Sequence, residues 1–325
     1  MNMFTVLRKA FQAGVPLALL LLLAAPSFAQ LSLRRALDYD GDGKADFSVY
    51  RPANNVWYNR LSSTGGFTAT QFGVATTDVP CPGDYDGDGK GDICVYRDTD
   101  GTFYYLRSSN GTLGVQQFGI SGDEPVARQW DNDAAGRTDF AVVRRFNNQL
   151  VWYFLTNPAT GAGTFSSVQF GASSDYAIPG DYDGDGKFDY AVQRAPSMTA
   201  PATLYLSKSS NGTVQTIQYG IGSDFFAPGD YDGDGKTDIC VVRDSGTYLT
   251  WYILKSSTNT TSTVLFGSPA TDFITQADYD GDGKTDIAVW RDSTGIFYSQ
   301  GSAGGFQTVA FGTSGDFPIP SYDTH

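Results

Sequence analysis

Aspartate is placed for cation chemistry at five points along this chain. The pattern D-x-D-G-D-G-K-x-D occurs at 38–46, 84–92, 181–189, 230–238 and 278–286. Short carboxylate arms at positions one, three, five and nine can converge on one point. The residues concerned are Asp38, Asp40, Asp42 and Asp46; Asp84, Asp86, Asp88 and Asp92; Asp181, Asp183, Asp185 and Asp189; Asp230, Asp232, Asp234 and Asp238; and Asp278, Asp280, Asp282 and Asp286. Glycines at positions four and six open backbone angles closed to other residues. They let the position-seven carbonyls of Lys44, Lys90, Lys187, Lys236 and Lys284 turn inward. With position nine bidentate, each loop supplies six oxygens before any water, which suits Ca²⁺ better than the strict octahedron of Mg²⁺. The expectation is about five calcium ions per chain, structural in role, one for each loop. An EF-hand would need flanking helices and a Glu at position twelve, where this chain has Val49, Val95, Val192, Val241 and Val289.

The loops must be carried by a repeating element. Their first aspartates lie 46, 97, 49 and 48 residues apart, and the doubled interval holds a worn copy, DNDAAGRTDF, at 131–140. In it Asp131 is either the first ligand position or, with Trp130 in place of the usual Tyr, the third with two residues inserted. Each unit continues with a strand of the form apolar-small-Val-x-Arg, ending at Arg51, Arg97, Arg144, Arg194, Arg243 and Arg291. Its period-2 alternation predicts half-burial. An aromatic strand follows, around Trp57-Tyr58, Tyr104-Tyr105, Trp152-Tyr153, Leu204-Tyr205, Trp251-Tyr252 and Phe297-Tyr298. A third strand ends in Phe-Gly or Tyr-Gly, and a crossing with one Asp (78, 123, 175, 224, 272, 316) leads to a short fourth strand. Four short strands per ~48 residues make a propeller blade. The fold expected is all-β, a β-propeller of six four-stranded blades spanning 30–325. The tail from Phe317 to Tyr322 repeats the approach to an acidic loop and is expected to close the first blade. The repeated Arg is expected to bridge to the crossing Asp, with an anion-binding ring as the alternative.

Residues 1–29 read as an export signal: Arg8 and Lys9, an apolar run from Val15 to Ala25, and Ser27-Phe28-Ala29 before the cut. The chain is expected to be secreted, cell-surface or periplasmic, with no membrane span. Without Arg8 and Lys9 its formal charge is −15, which argues against nucleic acid and anionic membranes as partners. Glu124 is the only glutamate among 35 acidic residues. Of three cysteines, Cys94 and Cys240 occupy a slot that holds Ser48, Ala141, Ala191 and Ala288 in other units, so they read as packing thiols. A Cys81–Cys94 bridge is the alternative.

The acidic nonapeptide followed by a strand, with Phe-Gly once per repeat, resembles the FG-GAP and VCBS repeats of integrin-alpha-like propellers. It is most similar to bacterial exported proteins built from tandem YDGDGK repeats. The resemblance implies calcium at Asp38, Asp40, Asp42, Asp46 and their counterparts. It also offers seven blades as the alternative count, and the family's Gly-Ala-Pro element is missing. Three functions are compatible with the residues. The first is a non-enzymatic adhesion or recognition module for an extracellular protein or glycan. The second is a calcium-dependent hydrolase of a polysaccharide or phosphoester, and the third an architectural surface component. The single histidine, His325, leaves no base for a Ser/His or Cys/His nucleophile, which disfavours the enzyme.

Overall fold

The computed structural model describes residues 36–131, 133, 136–158 and 161–320. The export signal expected at 1–29 and the tail from 321 onward lie outside them. The described residues form twenty-four strands in six separate four-stranded antiparallel sheets. In chain order these are β1 (Phe47–Arg51), β2 (Val56–Arg60) and β3 (Phe67–Gln71); β4 (Asp78–Pro80), β5 (Ile93–Arg97), β6 (Thr102–Leu106) and β7 (Leu113–Gln117); and β8 (Glu124–Pro125), β9 (Phe140–Phe146), β10 (Gln149–Leu155) and β11 (Phe165–Ala172). Next come β12 (Tyr176–Ala177), β13 (Tyr190–Arg194), β14 (Pro201–Ser207) and β15 (Val214–Ile221); β16 (Phe225–Phe226), β17 (Ile239–Asp244), β18 (Leu249–Leu254) and β19 (Thr261–Leu265); and β20 (Asp272–Ile274), β21 (Ile287–Arg291), β22 (Ile296–Gln300), β23 (Phe306–Ala310) and β24 (Phe317–Pro318).

The first sheet has the order β24-β1-β2-β3, so the last strand completes the first blade. Val49 pairs with Pro318 and Tyr50 with Phe317. Arg51 and Asp316, 265 residues apart, form a bidentate ion pair across the same junction. Six blades, not seven, close the ring.

Burial grades outward within each blade. The second strand is buried almost throughout, as in β1 and β5; the third alternates; the outermost, such as β3, is largely exposed. The half-burial expected of the Val-x-Arg strand is therefore corrected. In a ring, both faces of a blade pack on neighbours, so alternation along that strand does not separate core from solvent. The core lies between blades, as one cluster joining Val49, Val95, Trp290 and Ile319 shows by drawing on the first, second and sixth.

The aromatic strand has two functions. Its first residue is core: Trp57, Phe103, Trp152, Leu204, Trp251 and Phe297 have no exposed surface. Its second residue is a shelf for the repeated arginine, with Arg51 over Tyr58 at 4.5 Å and Arg97 over Tyr104 at 4.4 Å. The second blade's pair is thus Phe103-Tyr104 and not Tyr104-Tyr105, because Tyr96 sits opposite Phe103 and Arg97 opposite Thr102. Stacking on tyrosine and a bidentate bond to the crossing aspartate suit the planar guanidinium, and the Arg–Asp pair recurs in all six blades at 2.7–2.8 Å. Cys81 and Cys94 are free buried thiols with sulfurs 3.2 Å apart, and Cys240 is free as well.

Candidate metal centres

Each acidic loop leads into a blade's second strand, directly from the innermost strand in every blade but the first, and its first aspartate organises it. Asp38 accepts Gly41 N–H at 2.6 Å and Asp42 N–H at 3.2 Å on one oxygen, and Gly43 N–H at 2.8 Å on the other. The chain can wrap around one carboxylate in this way because Gly41 and Gly43 adopt φ of +82° and +87°. The same bonds recur around Asp84, Asp181 and Asp230.

Five groups of three carboxylates, one oxygen from each, gather within 4.8 Å: Asp38, Asp40 and Asp42; Asp84, Asp86 and Asp92; Asp181, Asp183 and Asp189; Asp230, Asp232 and Asp234; Asp278, Asp280 and Asp282. The structure thus brings together three of the four carboxylates expected in each loop. In two loops the third member is position nine, and in three it is position five. The remaining residues are held nearby. Asp46 accepts Tyr39 N–H and Ser62 N–H at 2.8 and 2.7 Å, one on each oxygen. Asp88 accepts Ser108 O–H at 3.0 Å and Lys90 N–H at 2.9 Å. The donor set is carboxylate throughout, which fits a hard divalent cation such as Ca²⁺.

Burial dominates the acidity of position nine. It pushes Asp92, Asp189 and Asp238 up to about 7, and Asp46 and Asp286 up to about 6, against the backbone N–H bonds that favour ionisation. A cation beside these carboxylates would remove that penalty.

The sequence patterns did not point to a serine turn that covers the loops. After the aromatic strand of every blade but the third, it presents Ser62-Ser63, Ser108-Ser109, Ser209-Ser210, Ser256-Ser257 or Ser302-Ala303 to the acidic loop. The first residue's N–H reaches position nine at 2.6–2.7 Å. The second serine's hydroxyl reaches position three at 2.6 Å in four loops. The signal was a serine at a fixed offset behind five of the six aromatic strands, followed by a second serine in four of them.

A second feature was also unread: the loops are coupled around the ring. The position-eight N–H donates to the first carbonyl of the preceding blade's loop, as in Gly91 to Asp38 and Thr285 to Asp230 at 2.7 Å, and Ala45 to Asp278 closes the circle. The lysines expected to offer carbonyls also lay their stems over the preceding loop, so that a Cβ at Gly41 would meet Lys90 Cε at 3.0 Å and one at Gly281 would meet Lys44. The position-two aromatic is an interblade strut. Tyr279 stacks on Phe47 at 4.6 Å, and its hydroxyl bonds Thr275 O, four residues back.

In the worn third loop, Trp130 N–H and Asp131 N–H donate to Asp139 as Tyr85 and Asp86 donate to Asp92. Trp130 Nε1–H bonds Val126 O as the tyrosine hydroxyls do. The open register is decided: Asp131 is the third position, two residues are inserted, and the buried Gln129 stands where the first aspartate belongs. Among the described residues this loop gathers no carboxylate group of the kind seen in the other five.

A ring of six four-stranded blades with an acidic loop in each defines a repeat β-propeller. Residues 38–95 and 230–289 match the family model described as FG-GAP-like repeat, so these parts of the six-bladed propeller are similar to FG-GAP repeats. No curated protein matches it significantly. Among solved structures, a streptogramin B lyase aligns over 87% of each chain at 11% identity and a TM-score of 0.49. A luciferin-regenerating enzyme aligns over 73% of this chain and 76% of its own at 12% identity and 0.41. A protein from Lactobacillus plantarum covers 83% and 85% at 10% identity and 0.37. At these identities no activity transfers.

Proposed function

We propose that this chain is an exported calcium-binding propeller that acts as a non-enzymatic recognition or adhesion module for an extracellular protein or glycan. The observation that carries the metal assignment is the set of five three-carboxylate groups, each built on backbone N–H donors and linked to the next blade. Calcium would be held by the aspartates at positions one, three, five and nine and by the carbonyls of Lys44, Lys90, Lys187, Lys236 and Lys284. It would supply the positive charge that lets clustered carboxylates stay ionised, and so lock each loop against its neighbour. The −13 charge of the whole chain favours such occupancy. Export is supported by residues 1–29, with cleavage near Ala29. Among the described residues no helix is long and apolar enough to cross a membrane. The recognition role is supported by a rigid ring that displays loops of unequal sequence.

The test is thermal unfolding of the mature chain with calcium, magnesium or chelator, paired with metal content by mass spectrometry. Five calcium ions are expected, one for each carboxylate group, with a calcium-specific rise in melting temperature of about 20 °C or more if every site is well saturated. Absence of bound calcium together with an unchanged melting temperature would overturn the assignment.

A further inference from the structure

Because the blades repeat, each serves as a control for the others, and the departures from repetition can be located in space. The residue that follows the crossing aspartate on the innermost strand is exposed in every blade: Val79, Glu124, Tyr176, Phe225, Phe273 and Phe317. Five are apolar or aromatic, and the sixth is the chain's only glutamate. Glu124 is held by Arg145 through two bonds of 2.9 and 3.1 Å. Arg145 is a second departure, standing where other blades have Pro52, Asp98, Ala195, Asp244 or Asp292. Its remaining guanidinium nitrogen Nη1 donates to Ser173 O and Asp175 O at 2.7 and 2.6 Å, which fixes the pair in place. A third departure is the longer β13–β14 hairpin of the fourth blade, which carries the exposed Met198.

These three departures meet at one cavity of about 570 Å³. Its walls come from the innermost strands of the second to fifth blades, β4, β8, β12 and β16, so it belongs to the axis of the ring. Tyr176 and Phe225, 59% and 57% exposed, present bare aromatic surface to it. The volume lies within the range of small-molecule sites, as does the character of the wall, mostly apolar with a few fixed polar groups. Its charges are largely paired internally: Asp123 with Arg144, Asp224 with Arg243, and Glu124 with Arg145. Of the other charged lining residues, Asp98 accepts Ser121 O–H and Gly122 N–H and Arg128 donates to Ala127 O, so an ionic ligand has little counter-charge to gain, whereas an uncharged ring can stack on the aromatics.

We infer that this axial cavity is a binding site for an uncharged, planar-ringed small molecule, its ring on Tyr176 and Phe225 and one hydroxyl or carbonyl at the Glu124–Arg145 pair. This goes beyond the recognition reading by adding a small-molecule ligand class, and it does not depend on the metal: cavity binding and calcium binding are read out separately, so either can fail alone.

Calorimetric titration of the calcium-loaded chain with 2-naphthol, at neutral pH where the probe is uncharged, tests it. A dissociation constant of about 0.1 mM or tighter is expected. Tyr176→Ala and Phe225→Ala should each weaken it at least tenfold, and Glu124→Gln severalfold. Phe67→Ala, an equally exposed aromatic on β3, should leave it unchanged. Because both aromatic targets are mostly exposed, melting temperatures should hold. Equal loss in Phe67→Ala, no binding near ~1 mM, or tighter binding of naphthalene-2-sulfonate or methyl glucoside than of 2-naphthol would overturn the inference.

Discussion

At the scale of single residues, the same side chain is asked for different things according to its neighbours. Asp139 belongs to the worn loop, yet it is buried like its counterparts and pushed up to about 7 by that burial, with Asp131 and Asp133 adding like-charge repulsion. Asn157 N–H and Trp130 N–H pull it back only in part. A carboxyl whose folded value lies above its unfolded value binds its proton more tightly when folded. Stability therefore falls as pH rises from about 4 to about 7, and is flat beyond. The chelator-treated chain should accordingly show a lower urea midpoint at about pH 7.5 than at about pH 5. Asp139→Asn should remove its share of that slope, and a slope identical to wild type would show that Asp139 ionises freely.

Between elements, the blade interface is set by size matching beside the metal loops. A Cβ on Gly83 would stand 2.5 Å from Thr138 Oγ1, and the same clash recurs between Gly180 and Thr237 and between Gly229 and Thr285. The first blade inverts the arrangement, with the larger Leu37 before its loop and Gly91 at position eight of the next. Gly83→Ala should cost about 1–3 kcal/mol through overpacking. Adding Thr138→Gly should recover part of it, and a double-mutant cycle in chemical denaturation reads the coupling. Strict additivity would mean that the two residues do not meet. The same geometry explains why Trp130 can replace tyrosine: both rings span to the next blade, and both end in a donor for the carbonyl four residues back.

For the molecule as a whole, closure is what turns six local sheets into one unit. β24 supplies the innermost strand of the first blade, Asp316 supplies the partner of Arg51, and the fully buried Ile319 enters the cluster shared with Trp290 and Val95. Deleting residues 316–325 would leave Arg51 without its carboxylate and open an edge on the first blade. The shortened chain should melt at least about 10 °C lower and lose protection from proteolysis first in the first and sixth blades. Unchanged melting would show that the ring does not need its closing strand.

Much of this was legible from the amino-acid order, because repetition averages away local ambiguity. The loop spacing, the Val-x-Arg strand, the Arg–Asp pair, six blades and the closing strand all follow from a pattern present five or six times. What one strand cannot show is what lies on its two faces, so the full burial of β1 and β5 and the Phe103-Tyr104 register emerged only once the blades were side by side. The loop's local chemistry could be read from D-x-D-G-D-G-K-x-D, since glycine and a short carboxylate dictate their own turn. The serine cover, the lysine stems and the ring of position-eight bonds could not, because they join residues about 20 to 240 positions apart. Likewise Glu124, Arg145 and Met198 look unrelated along the chain. They became one cavity wall only when four innermost strands converged on a common axis, a distance relation that closure of the ring creates and no local pattern encodes.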